Sequence, residues 1–303
     1  MKHGLIHLSA ALLLSASYAI AETTETLNWV GCGISKKAYV TDLAKAFTEK
    51  TGIQINIQGG GDTKGIREVV KAQADLGGSC RYRLPEDPRE SRVGLEPVAW
   101  DALVVITHKD NPVDDISMEA VQKVFAGEIT NWKQLGGEDK AVEVFTRASK
   151  YSGVGRTLRK LIFADFDFEL ASTRQFKSSG PLEKAVIETP GAIAITGISS
   201  ARLRDVKILS INGIAPTFAN LKAGQYLLYR PLYITYNPLS DKLAEVKKFI
   251  SFCHSMEGRE IMKANGTLPY REAVHLVMKQ IDQDLSSFRR SDGKGFSVSS
   301  TDP

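Results

Sequence analysis

The chain has 303 residues, with 39 Lys and Arg against 35 Asp and Glu, a formal net charge of +4. That excess is too slight to argue for a nucleic-acid partner and is compatible with an anionic small ligand. The composition is that of an ordinary globular protein, and at roughly 150 residues per domain the length allows two domains.

Lys2, an apolar run from Leu8 to Leu14 and the small-residue ending Ala19-Ile20-Ala21 precede the polar stretch Glu22-Thr23-Thr24-Glu25. Residues 1–21 therefore read as a cleaved secretory signal peptide. Its apolar core is too short to cross a bilayer, and no later stretch reaches the roughly 18 to 20 apolar residues of a membrane helix. The expectation is a protein of the periplasm with no membrane span after signal removal. No cysteine stands beside the cleavage site to take a lipid anchor. Cys32, Cys80 and Cys253 remain, an odd number that allows at most one internal disulfide in an oxidising compartment.

From Leu27 to Gly31 the pattern predicts a strand, and from about Ser35 a helix in which Tyr39, Leu43 and Phe47 recur every fourth residue until Gly52 stops it. A strand at Ile53 to Ile57 leads through Gly59-Gly60-Gly61-Asp62-Thr63-Lys64-Gly65 into a helix carrying Ile66, Val69 and Val70. Ala74 to Cys80 and the strong strand Ala102 to Thr107 follow. Beyond it come helices at Met118 to Phe125, Gly155 to Phe163 and Pro181 to Glu188, with strands at Val142 to Thr146 and Ala192 to Thr196. A strand at Pro231 to Tyr236 and helices at Asp241 to Cys253 and Gly258 to Ala264 end the series. Such alternation implies α/β architecture with mostly parallel sheets covered by helices. The tail beyond Ser287, rich in Ser, Arg, Gly and Asp, has a disordered composition.

Three Gly- and Ser-rich loops, each from a strand end to a helix start, stand out: Gly31 to Ser35, Gly59 to Gly65, and Arg147 to Gly155. In an open α/β sheet such loops line the ligand crevice. Helix starts offer unpaired N–H groups and the positive end of the dipole, so glycines and hydroxyls there can cradle an anion. Arg147 adds a two-pronged donor. Ser35, Thr63 and Ser152 also suit plain N-caps, and Arg147 a surface ion pair. Enzyme signatures are poor: there is no G-x-S-x-G elbow, P-loop or H-E-x-x-H, and His108, His254 and His275 lie outside the loops. No catalytic residue, metal or cofactor is expected.

Asp101-Ala-Leu-Val-Val-Ile-Thr-His-Lys-Asp-Asn-Pro-Val113, followed by Val124-Phe-Ala-Gly-Glu-Ile-Thr-Asn-Trp-Lys-Gln-Leu-Gly-Gly137, resembles the phosphate-binding protein family of ABC importers. Pro190-Gly-Ala-Ile-Ala194, Arg230-Pro-Leu-Tyr233 and Ser255-Met-Glu-Gly-Arg-Glu260 resemble family segments in the same order. The resemblance implies a type II periplasmic binding protein: two α/β lobes joined by two crossover strands, closing on a ligand like a hinged trap. The crossovers are expected near Asp101 to Ile106 and Leu227 to Ile234. Residues 22–103 plus 232–287 would build one lobe, 104–231 the other, and 288–303 a disordered tail.

The resemblance also implies the ligand set Ser35, Asp62, Thr63, Ser79, Arg147, Ser152 and Gly153. It is imperfect. Lys36 stands where the family has an aromatic, Asp62 where it has a serine, and Val154 where it has a threonine. The segment after Arg147 carries one extra residue. Where the family has Ser-Asp, this chain has Ser79-Cys80, losing the carboxylate that accepts a hydrogen bond from a protonated phosphate and repels sulfate; Asp62 would supply a substitute acceptor. Cys32 and Cys80 fall on loops facing one cleft and suit a disulfide, a thiol site for arsenite, a soft metal or haem, or two unpaired thiols. Cys253 reads as core. The function expected is a periplasmic solute-binding protein that captures phosphate or arsenate, with an ABC permease or a periplasmic sensor as partner. The alternative is a sensing or interaction protein of the same fold that has lost phosphate binding and uses Cys32 and Cys80.

Overall fold

The computed structural model describes residues 25–282; the signal peptide expected at 1–21 and the tail expected at 288–303 lie outside the described residues. The longest strand, β4 (Gly94–His108), organises the rest. Val98 through Thr107 are buried without a break, so the strand is covered on both faces and reads as a continuous apolar run rather than an alternation. It begins at Gly94, ahead of the stretch Ala102 to Thr107 that marks it in the sequence. Glu96 and Pro97, poor strand formers, disguise its start. Pro97 falls where the register with the neighbouring strand shifts at Leu232/Tyr233, an irregularity suited to a residue with no N–H to give.

That neighbour is β11 (Tyr229–Tyr236), antiparallel to β4. Beyond it lie β3 (Leu76–Ser79), β1 (Thr26–Gly31) and β2 (Gln54–Gly59), parallel to one another. The second half of β4 pairs antiparallel with β8 (Ala192–Gly197), which runs parallel to β6 (Glu143–Arg147), itself parallel to β7 (Arg174–Phe176). β9 (Val206–Ile208) and β12 (Leu268–Pro269) branch from β4, completing a ten-stranded sheet. β5 (Asp115–Ile116) and β10 (Ser210–Ile211) pair separately. Two mostly parallel groups of strands are thus joined through the antiparallel pair β4 and β11.

The first predicted helix is one winding run: α1 (Gly33–Ser35), a π turn at Lys36–Val40, and α2 (Thr41–Thr51), ended by Gly52 at φ 76°. Tyr39, Leu43 and Phe47 are buried along it, the face that their spacing predicts. α3 (Asp62–Val70) follows β2. α4 (Met118–Ala126), α5 (Gly153–Leu158), α6 (Ser179–Glu188), α7 (Ile198–Ala201) and α8 (Phe218–Lys222) belong to the middle of the chain, and α9 (Leu243–His254) and α10 (Met256–Ala264) to its end.

Two hydrophobic cores flank the β4/β11 pair. One joins Trp29, Tyr39 and Phe47 to Leu232, Ile234 and Phe249, with the rings of Phe47 and Phe249 edge to face at 5.2 Å. Cys253 is fully buried in it, and burial pushes its thiol well above the usual range. The other gathers Val104, Ile106, Phe125, Trp132, Phe145 and Ile193. Leu268, Ala273 and Leu276 pack into this second core. The arrangement is a two-lobed α/β fold whose first core draws on both ends of the chain.

Where β4 and β11 pass between the cores, Asp101 and Arg230 stand opposite each other. Arg230 Nη2 donates to Asp101 Oδ2 at 3.2 Å, and Ser199 Oγ donates to Asp101 Oδ1 at 2.9 Å. Asp101 is 0% exposed and Arg230 3%; Nε and Nη1 of Arg230 have no hydrogen-bond partner among the described residues. A buried charge is costly chiefly when its partner is removed. Asp101→Ala should therefore lower the unfolding free energy by about 3–5 kcal/mol in urea titration, and Asp101→Leu with Arg230→Met should recover most of it. A loss below about 1 kcal/mol for Asp101→Ala, the scale of a surface pair, would show that the ion pair is not held as described.

Candidate functional site

The loops at the ends of β1, β2 and β3 on one lobe meet the loop after β6 on the other. After β1, Cys32 caps α1 by accepting from the Ile34 N–H, and its own N–H donates to Gly78 O at 2.9 Å. After β2, the N–H groups of Gly60 and Gly61 both donate to Gly31 O at 3.0 Å, which folds the glycine loop back onto β1. Gly61 has φ 85°, a conformation that a side chain would strain, and delivers Asp62 as the first residue of α3. A disulfide joins Cys32 to Cys80, with Cα atoms 6.7 Å apart, tying the loop after β1 to the loop after β3.

Asp62 is the centre of the cluster. Its carboxylate is buried. Oδ1 accepts from the Cys80 N–H of its own lobe, and Oδ2 accepts from the Gly153 N–H at the start of α5 on the other lobe, at 2.9 Å. Hydrogen bonds to an ionised acceptor are the stronger kind, and burial strengthens them further. Gly153 has to be glycine: a Cβ there would stand 2.6 Å from Asp62 Oδ1 and 2.8 Å from Cys80 Cβ.

Of the other residues singled out in the sequence, Ser79, Ser152 and Ser35 lie in or beside this cluster, and Thr63 and Arg147 face elsewhere. Ser79 Oγ is 3.5 Å from Asp62 Oδ1 but donates at 2.7 Å to Arg81 O. Ser152 is the N-cap of α5, its Oγ accepting from the Gly155 N–H at 3.1 Å. Ser35, fully buried, has its Oγ 3.8 Å from Cys80 Sγ. Thr63 Oγ1 accepts from Arg81 Nη2 at 3.1 Å. Arg147 turns to its own lobe: Nη2 donates to Lys177 O at 2.7 Å, Nη1 to Ser179 Oγ at 3.3 Å and Nε to Phe176 O at 3.4 Å. Burial holds its guanidinium below the ordinary arginine value, with the opposing charge of Asp62 pulling it back up.

Sequence reasoning misses Arg81. This buried side chain forms a two-pronged pair with Glu90, both contacts 2.8 Å, and its Nε donates at 2.8 Å to Tyr151 O on the other lobe. Its only local signals are its position after Ser79-Cys80 and an acidic residue on the same loop. Lys37 makes a third tie, donating to Ser200 Oγ at 2.7 Å beside Glu183; burial lowers its ammonium from the ordinary lysine value, and Glu183 opposes that.

Next to the cluster a cavity of about 780 Å³ opens between the lobes, lined by Cys80, Tyr82, Tyr151, Arg156, Arg230 and Tyr233 among others. Asp62, Ser152 and Gly153 do not line it. The sulfurs of Cys32 and Cys80 and a carboxylate oxygen of Asp62 lie within 4.8 Å of one another. With the sulfurs bonded together neither is a thiolate, the form that ligates a soft metal. Among the described residues no helix is long and apolar enough to cross a membrane.

A two-lobed α/β fold whose strand-end loops converge on one buried polar cluster between the lobes is the architecture of a periplasmic-binding-protein domain. The chain belongs to the PBP superfamily domain family, whose model matches residues 29–257. It is 29% identical to the phosphate-binding protein PstS of Bacillus subtilis over 186 residues, 61% of each protein. It is 34% identical to PstS of Borreliella burgdorferi over 181 residues, 56% of this chain and 63% of that one. These matches thus span less than two thirds of either relative's length. Among solved structures, a protein from Clostridium perfringens described as a phosphate ABC transporter substrate-binding protein with bound phosphate superposes with a TM-score of 0.72 at 26% identity, covering 81% of this chain and 99% of that one. A phosphate transport receptor from Vibrio cholerae shares the fold, with a TM-score of 0.63, over 81% of this chain and all of that one.

The disulfide closes a loop with a sequence separation of 48, for which loop-closure entropy gives about 4 kcal/mol of stabilisation. Thiol titration of the denatured, unreduced protein should count one thiol, Cys253, and Cys32→Ala with Cys80→Ala should lower stability by roughly that amount. Three titrating thiols without reductant would refute the pairing.

Proposed function

We propose that this is a periplasmic solute-binding protein that captures a small oxyanion, phosphate or its close analogue arsenate, between its lobes for an ABC importer. The observation that carries the proposal is the convergence of N–H donors from both lobes, Cys80 and Gly153, on a single buried oxyanion group, the Asp62 carboxylate. Donors placed for one oxyanion suit another, and a site that draws half of its donors from each lobe couples ligand capture to closure. The relatives named above as phosphate-binding proteins, and the similar structure that holds phosphate, support the choice of ligand.

In this reading Ser35, Ser79 and Ser152 complete the donor set around the anion, and Arg147, a half-buried guanidinium that faces its own lobe but stays within the field of Asp62, turns to neutralise charge. The position of Thr63, turned to Arg81, makes it a support for the loop. The action is binding and release, without chemistry on the ligand. The same reading has the chain exported by the signal peptide expected at 1–21 and delivering its ligand to a membrane permease.

Calorimetry on ligand-stripped protein should detect phosphate and arsenate binding, and at a hundredfold excess over Kd either anion should raise stability by about 2.7 kcal/mol. Arg147→Ala should abolish binding while leaving the unfolding transition cooperative. Silence toward both anions in calorimetry and thermal unfolding would overturn the proposal, and unchanged affinity in Arg147→Ala would remove that residue from the site.

A further inference from the structure

We infer that Asp62 is a resident competitor for the oxyanion site, so that an anion enters only by displacing this carboxylate from donors it already holds. As to the ligand, this rests on the oxyanion reading above; as to closure, it rests on the hydrogen bonds alone. Each carboxylate oxygen is committed to a different lobe: Oδ1 to the Cys80 N–H, Oδ2 to the Gly153 N–H. The packing is tight. Gly153 approaches so closely that even one added carbon would collide with Oδ1 and with Cys80 Cβ, which leaves no place at this point for a tetrahedral anion while Asp62 stays.

The carboxylate is also held in position from behind. Gly61, in the left-handed region, sets the start of α3, and Cys80 is pinned through its disulfide to Cys32, whose N–H is bonded to Gly78 O. Asp62 further supplies negative charge that acts on the half-buried Arg147 guanidinium, the role that a bound anion would otherwise fill. An incoming dianion and this carboxylate cannot share the same donors, since like charges in a buried site repel strongly. Two consequences follow. The lobes are drawn together by an internal group, and the apparent affinity for a free anion is reduced by the fraction of molecules in which Asp62 has let go.

The sign of one measurement separates this from the role of Asp62 as an acceptor for the ligand's own proton. If Asp62 competes, Asp62→Ala should tighten phosphate binding in calorimetry by about tenfold or more, the effect of freeing charge-assisted hydrogen bonds. Asp62→Asn, which keeps the shape but turns an N–H₂ toward one of the two donors, should shift affinity in the same direction and guards against a fold defect. If Asp62 is an acceptor, both substitutions weaken binding. Solution X-ray scattering on ligand-stripped protein gives a second reading: the unmodified chain should be closed, and Asp62→Ala should show a larger radius of gyration. Unchanged or weakened affinity overturns the inference. If no variant binds any oxyanion, the proposed function fails and scattering decides alone, equal radii for the unmodified chain and Asp62→Ala overturning the competitor.

Discussion

The antiparallel pairing of β4 with β11 is the constraint on which the molecule depends. Both strands leave one hydrophobic core and enter the other, so their ladder fixes where the second lobe sits relative to the first. Its middle carries the Asp101–Arg230 pair, buried where the two cores meet. Beside it Leu103 donates its N–H to Leu228 O at 2.8 Å, and Tyr226 Oη donates to Leu103 O at 2.8 Å. Asp62 and Gly153 are 91 positions apart in the chain; they meet because these two strands bring the strand ends of both sheets to the same crevice, the usual place for ligands in open α/β sheets.

Within that crevice, charge and close packing work together. A carboxylate out of water is tolerable only where donors surround it, and each lobe provides one N–H that its own secondary structure leaves unpaired. Glycine at position 153 lets the helix start approach to hydrogen-bonding distance. Arg81, fixed by Glu90, adds a neutral partner across the same gap, the Tyr151 carbonyl. The ties between lobes thus differ in polarity: on the first lobe Asp62 accepts, while Arg81 and Lys37 donate.

Much of this was legible in the sequence. Spacing of Tyr39, Leu43 and Phe47 gave a helix face, Gly52 its end, and the three Gly- and Ser-rich loops the segments that meet at Asp62, because each of those signals is local. What stayed hidden depends on contacts distant in the chain. The start of β4 was masked because Glu96 and Pro97 are tolerated by pairing with β11 and a register shift. The pairing of Cys32 with Cys80 among the readings open to them required knowing that β1 and β3 are adjacent. Arg147 carries the residue type of an anion ligand, yet its hydrogen bonds go to carbonyls and a hydroxyl of the segment around β7 and α6, which no pattern around Arg147 announces. Arg81 had no periodic signal, only its place after Ser79-Cys80 and an acidic residue on the same loop.

The strand order has a consequence for how the chain reaches its final form. β11 lies between β3 and β4, although its residues follow theirs by well over a hundred positions. A polypeptide emerging from its N-terminus can assemble β1, β2 and β3 early, but the edge of β3 stays unpaired until residues 229–236 arrive. Contacts between such distant segments carry a large loop-closure cost and form slowly, and an open strand edge is a template for pairing with other chains. The middle of the chain, which holds most of the second core, can settle first. The first lobe is then completed last, by insertion of a central strand, so the interval before that insertion is when the chain is most exposed to misassembly.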